Sequence, residues 1–167
     1  LDDKSLERVG LPTLTRRLLA HEAAHLVRYL YMPGNYRQHP DWLADGSTTW
    51  LDTEAMKTLH LALDDESCPS RSTGIVRLQK LLATDDLPTA GEIFTGQLNV
   101  NELGFYEKYA VTGFFFRFLL ESKHKRSLGK LIDTARRLGG GPGYEESLQS
   151  HVDKTFNEKK MATLTEE

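Results

Sequence analysis

The sequence predicts a mainly α-helical single domain with little or no β-sheet, and three observations carry that expectation. Apolar residues recur at the three- and four-residue spacing of helices in stretch after stretch. Alternating, β-branched runs are scarce; IFTGQLNV, residues 93–100, is the best strand candidate and a weak one. The 167 residues hold no internal repeat and no low-complexity linker, and that length suits one domain able to bury a core.

The first element is LPTLTRRLLAHEAAHLVRYLYM, residues 11–32. Leu14, Leu18, His21 and His25 fall on one helical stripe, and Leu19, Ala23, Leu26, Val27 and Leu30 on another. Pro12 suits a first turn and Pro33-Gly34 is a stop signal, so a mostly buried helix is predicted from about residue 12 to 31. GNYRQH is then a loop, and Pro40 opens a second helix through DWLADGSTTWLDTEAMKTLHLAL, residues 41–63. The polar segment DDESCPSRSTG, Asp64 to Gly74, reads as a surface loop, and IVRLQKLLA as a third helix. A Pro- and Gly-punctuated connection, LPTAGEIFTGQLNV, follows. NELGFYEKYAVTGFFFRFLLESK is the strongest later helix, with Phe115, Phe118 and Leu119 among its apolar positions. HKRSLGKLIDTARRL is the next, ended by Gly139-Gly140-Gly141 and Pro142. The last 25 residues suggest two short helices with a charged outer face.

Composition narrows the function classes. At 39% hydrophobic and 27% charged, the chain is ordinary for a globular protein. Its 21 basic and 24 acidic residues give a net charge of −3, so phosphate attraction is weak and nucleic acid is a poor partner. Cys68 is the single cysteine; no intrachain disulfide and no cysteine cluster for zinc can form. That leaves the compartment open. No stretch reaches the roughly 18 apolar residues that span a bilayer. The N-terminus has neither the basic start nor the apolar centre of a signal peptide, and no initiator methionine. An exported or cell-envelope form with its leader removed is compatible with that start.

The chemistry concentrates in HEAAH, residues 21–25. Two histidines four apart on a helix project from one face, one turn above the other. Their nitrogens can then reach one tetrahedral zinc at about 2.0–2.1 Å. A glutamate beside the first histidine leans to one side, where it can take a proton from a water that zinc has made acidic. His21 and His25 are thus candidate ligands and Glu22 the candidate general base. An accidental H-E-x-x-H is expected in well under about one in a hundred chains this long. Glu22 and two histidines inside an apolar helix would also be costly to bury without a role.

A third ligand is needed, from a second helix crossing the first. Asp45, 20 positions after His25, leaves room for a loop and a return. Asp41, one turn earlier, is a rival that also suits a helix N-terminus, and His39 is another. Thr49 and Asp52 share the helical face of Asp45, and either could hold the second nitrogen of a zinc histidine; a solvated face explains them equally well. Trp42 and Trp50 read as core, and His60, His124 and His151 as surface. GGGPG lacks the strand and lysine of a phosphate loop and reads as a helix–helix connection.

HEAAH followed by PDWLADG resembles the gluzincin zinc metallopeptidases, whose pattern is HExxH and then P-x-W-L-x-E-G. Pro40, Trp42, Leu43 and Gly46 match, and the family's third-ligand position falls on Asp45. Aspartate there shortens the arm by one methylene, about 1.5 Å, so the second helix has to sit closer, an approach that Gly46 would permit. Downstream, YAVTGFFFRFL resembles the tyrosine-led helix of these families, which implies Tyr109 as the oxyanion donor, with Tyr106 its competitor. The layout is similar to uncharacterised bacterial gluzincin-like domains and, distantly, to plant basic secretory proteins. The likeness runs over about residues 12–160, but its specific motifs lie in the first 40 of these.

The resemblance implies zinc between two crossing helices and zinc-dependent hydrolysis of a peptide or protein substrate. It also implies a β-sheet before the HExxH helix, whose edge strand grips the peptide. Only 20 residues precede His21, so that sheet is expected outside this chain or not at all. A zinc-clamped but inactive interaction module is the alternative expectation, and a metal-free helical scaffold the third.

Overall fold

The computed structural model describes residues 13–32, 39–58, 72–95, 98, 103–139 and 141–156. They form seven α-helices: α1 (Thr13–Tyr31), α2 (Asp41–Thr58), α3 (Ser72–Thr84), α4 (Ala90–Thr95), α5 (Phe105–Glu121), α6 (Lys125–Leu138) and α7 (Tyr144–Thr155). Among the described residues there is no strand. The mainly helical expectation holds.

Local chemistry sets the ends of these elements. The Pro40 carbonyl accepts from the Leu43 and Ala44 amides, both at 2.9 Å, so α2 starts where proline costs no donor. Asp41 then lies in the first turn, where the helix dipole favours an acid. At α4, Thr89 and Glu92 form a reciprocal cap: the Thr89 amide donates to Glu92 Oε2 at 2.7 Å and the Glu92 amide to Thr89 Oγ1 at 3.3 Å. This short helix covers Ile93 and Phe94, so the first residues of the weak strand candidate are helical instead. A capping box spanning Thr89 to Glu92 is the local signal that outweighed the β-leaning composition. Helix α3 likewise takes Ser72 to Gly74 from the predicted surface loop. Helix α6 ends at Gly139, whose φ of 68° is left-handed and whose amide reaches the Ala135 carbonyl at 3.3 Å. The C-terminal part supplies one described helix, α7; residues 157–167, His60 and the rest of the expected loop at 64–71 lie outside the described residues.

The core gathers Trp42 and Leu43 from α2, Ile93 and Phe94 from α4, Val111, Phe116 and Leu119 from α5, and aliphatic residues of α6 and α7. Phe94 is its hinge point, stacked on Phe156 at 4.5 Å and meeting Trp42 and Phe115 edge-on at 5.2 and 4.9 Å. Such edge-on and offset pairs satisfy the ring quadrupoles and add to burial. Trp50 packs against this core, as expected. His124 does not stay at the surface: it is 8% exposed, beside Phe118 and Phe156.

Helix α2 is the centre of the fold, packed on α5 along one side and on α1 along another. Two glycines bring α2 and α5 together. A Cβ on Gly46 would lie 2.5 Å from the Thr112 carbonyl oxygen, and one on Gly113 would lie 2.8 Å from Thr49 Cγ2. The close approach that Gly46 permits is therefore toward α5, not toward α1 as the ligand argument expected. Its consequence for the site is indirect: it carries Lys108 and Tyr109 of α5 up to the acidic residues of α2.

Helix α1 departs most from expectation. Ala24, Arg28 and Met32 are buried, but the stripe containing Leu19, Leu26 and Leu30 faces outward. The helix is half-buried, because only α2 among the described helices packs extensively on it.

Candidate metal centre

The site is built where α1 and α2 cross. On α1, the four-residue spacing puts His21 and His25 on the same inward stripe, with ring centroids 4.8 Å apart and planes nearly perpendicular. Each ring is held from α2 through its Nδ1. His21 Nδ1 lies 2.9 Å from Asp52 Oδ2, and His25 Nδ1 lies 3.1 Å from Thr48 Oγ1.

These two contacts fix the tautomers. A carboxylate only accepts, so the proton of the first bond belongs to His21 Nδ1. Thr48 spends its hydroxyl proton on the Ala44 carbonyl at 2.8 Å, so toward His25 its oxygen is the acceptor and His25 Nδ1 the donor. In the neutral form, both imidazoles therefore carry their lone pair on Nε2. Burial lowers the pKa of His25, helped by the neighbouring His21 and Arg28 and opposed by Asp45 and Glu22. A neutral ring with a directed lone pair is what a metal ligand requires.

Asp45 is 1% exposed on α2. Its Oδ2 lies 3.5 Å from Lys108 Nζ, and the same ammonium lies 2.8 Å from Asp41 Oδ2. Burial opposes the charge on Lys108, but the bonds to Asp41 and Asp45 outweigh it and raise the lysine's pKa. Tyr109, the next residue, meets His21 edge-on at 5.6 Å. Burial pushes its hydroxyl up to about 12, and the charges of Asp45, Glu22 and Asp41 push the same way. The phenol thus stays protonated and able to donate. Glu22 is exposed beside this cluster, so the cost of burying it was no support for a role.

The predicted residues are thus partly brought together. His21, His25 and Tyr109 converge, with Asp45 and Glu22 close enough to act on them electrostatically. Among the described residues, no three His, Cys, Asp or Glu side chains stand as a ready-made metal cage. Imidazole nitrogen and carboxylate oxygen are nevertheless the donor types that zinc takes. Of the rival ligands, Asp41 holds Lys108. His39 is 5% exposed and engaged at both ring nitrogens: Arg28 Nη1 donates to its Nδ1 at 3.2 Å, and Tyr144 Oη lies 2.6 Å from its Nε2. The Tyr106 side chain lies outside the described residues.

Two participants were not anticipated. Thr48, not Thr49, holds the second histidine, because the helix phase turns Thr49 onto Gly113. The spacing of residues 45, 48 and 52 is as helical as that of 45, 49 and 52, so the sequence carried no signal to choose. Lys108 was also missed; its only mark was adjacency to Tyr109. A cavity of about 30 Å³ between α2 and α5, lined by Thr49, Trp50, Gly113, Phe114 and Arg117 among others, includes none of the candidate ligands and has room for only a water or two. Comparison with protein-family models, with curated proteins and with solved structures finds no match in any of the three.

Proposed function

We propose that the protein is a zinc-dependent hydrolase acting on peptide bonds, with His21, His25 and Asp45 as metal ligands. The observation that carries the reading is the pair of Nδ1 contacts from α2, which leave both histidine lone pairs on Nε2. Half-buried imidazoles need partners in any role, but here two separate acceptors select the same tautomer on neighbouring rings, as a shared metal requires. Zinc held there supplies a Lewis acid that polarises a carbonyl and acidifies a water.

The chain's own groups then divide the work. Glu22, solvent-exposed next to His21, accepts the proton of the attacking water and returns it to the departing amine. Tyr109, kept protonated, donates a hydrogen bond to the oxygen on which negative charge develops. Asp52 and Thr48 act as positioning residues by holding the rings. The gluzincin resemblance of HEAAH and PDWLADG supports the same assignment, with aspartate in place of glutamate.

A second reading is favoured by one observation. Lys108 already supplies a positive charge to Asp45, so the buried carboxylate is satisfied without a metal, as an inactive interaction module would require. A peptide-library assay of the zinc-loaded protein and of Glu22→Gln separates the two. The hydrolase reading expects cleavage that Glu22→Gln abolishes while keeping its zinc. Zinc bound with no cleavage by the unaltered protein selects the module.

A further inference from the structure

Helix α1 carries a second feature that the metal centre does not use. Leu19, Ala23, Leu26 and Leu30 are spaced four, three and four apart, the alternation of a coiled-coil seam. Here that seam faces solvent: Leu19 is 57% exposed, Leu26 70% and Leu30 78%. Val27 and Tyr31 flank it on one side and Tyr29 on the other, each more than two-fifths exposed. Glu22 is the single charged side chain exposed between residues 19 and 31. The exposed area is on the order of 700 Å², above the largest patch of an ordinary monomer and close to the roughly 800 Å² each partner contributes to a standard interface.

We infer that this face is the interface of a homodimer in which two α1 helices pack antiparallel about a two-fold axis. The seam is self-complementary in that arrangement and only in one register. Leu19 meets Leu30 of the second copy, and Ala23 meets Leu26, so each large side chain is set against a large one at the ends and a small one near the axis. Antiparallel coiled coils pair their a and d positions in this way, and a two-fold interface must use the same patch twice. Glu22 lies on the Tyr29 flank, at the rim of the seam, and meets Tyr29 of the second copy, not its own counterpart, so the one charge on the face meets no like charge. The paired faces lie on the opposite side of α1 from His21, His25 and Arg28, so the interface needs no metal.

Sedimentation of the whole chain at tens of micromolar tests this directly. The inference expects a dimer that Leu26→Glu with Leu30→Glu converts to monomer, with the circular dichroism unchanged because both positions are exposed. A monomeric unaltered protein overturns it, leaving the face to a different partner, and so does a dimer that survives both substitutions. Register is read by cross-linking in a Cys68→Ser background. An equimolar mixture of Leu19→Cys and Leu30→Cys chains should form a disulfide that neither chain forms alone. Self-cross-linking of either chain would overturn the antiparallel pairing. Zinc content does not enter these readouts, so their failure is distinguishable from failure of the metal assignment.

Discussion

Helix α2 and the α6–α7 pair are both well buried, yet α2 buries a row of polar side chains beside its core residues Trp42 and Leu43, whereas α6 and α7 bury chiefly apolar ones. Helix α2 hides Asp45, Ser47, Thr48 and Asp52, while α6 and α7 hide Leu128, Leu131, Ala135, Leu148 and Val152. Aliphatic burial stabilises without further conditions, at about 25 cal/mol per Å² removed from water. Polar burial is unfavourable unless each group finds a partner. In α2 Asp52, Thr48 and Asp45 find His21, His25 and Lys108 on other helices, while Ser47 donates to carbonyls of its own helix. The difference is that α6–α7 serves the core alone, whereas α2 serves the core through Trp42 and Leu43 and the candidate site through its polar row. Substitutions in the two regions should therefore separate stability from metal chemistry.

The largest separation is expected from His25→Ala. It removes a proposed ligand and leaves Thr48 without its long-range partner, so zinc binding should be lost by elemental analysis, with some loss of stability. Normal zinc content would contradict the ligand assignment. Leu148→Ala, in a fully buried aliphatic position of α7, should cost about 2–5 kcal/mol in denaturant unfolding. Its folded fraction should bind zinc as before; a parallel fall in metal affinity would erase the distinction between the regions.

Asp52→Ala sharpens the comparison. It keeps every proposed ligand and removes the acceptor that orients His21, which should weaken zinc about 10- to 100-fold in competition with a chelator. An unchanged affinity would mean that the 2.9 Å contact has no positioning role. Lys108→Met is the smallest effect and the most diagnostic in sign. Removing the ammonium leaves buried Asp45 with less compensation and should destabilise the metal-free protein by about 1–2 kcal/mol. The same change removes a competing cation, so zinc should restore more stability in the variant than in the unaltered protein. Equal stabilisation by zinc in both would show that Lys108 and the metal do not share Asp45.

Much of the fold was legible in the sequence where one physical signal dominated. Pro40 marked the start of α2, Gly139 the end of α6, and apolar periodicity found the helices between. What escaped was set by neighbours distant in the chain. The outward stripe of α1 has the same composition as a buried one, and nothing local distinguishes Leu26 from Leu43. His124 looked like a surface residue because its apolar neighbours, Phe118 and Phe156, are not all adjacent in sequence. At the site, HEAAH was visible because its spacing is intrinsic to one helix. Thr48 and Lys108 were not, since the crossing of α2 with α1 and α5 decides which side chains face inward. Gly46 was read as making room for α1, but the tight contact is with α5.

Whether a metal is held between α1 and α2 is answered by the zinc stoichiometry of the purified protein, measured beside an Asp45→Ala variant. Close to one zinc per chain, lost or sharply reduced in the variant, is the result predicted. No zinc in the unaltered protein after the metal is added back at neutral pH would contradict the proposed metal centre, and undiminished zinc in Asp45→Ala would remove Asp45 from the ligand set.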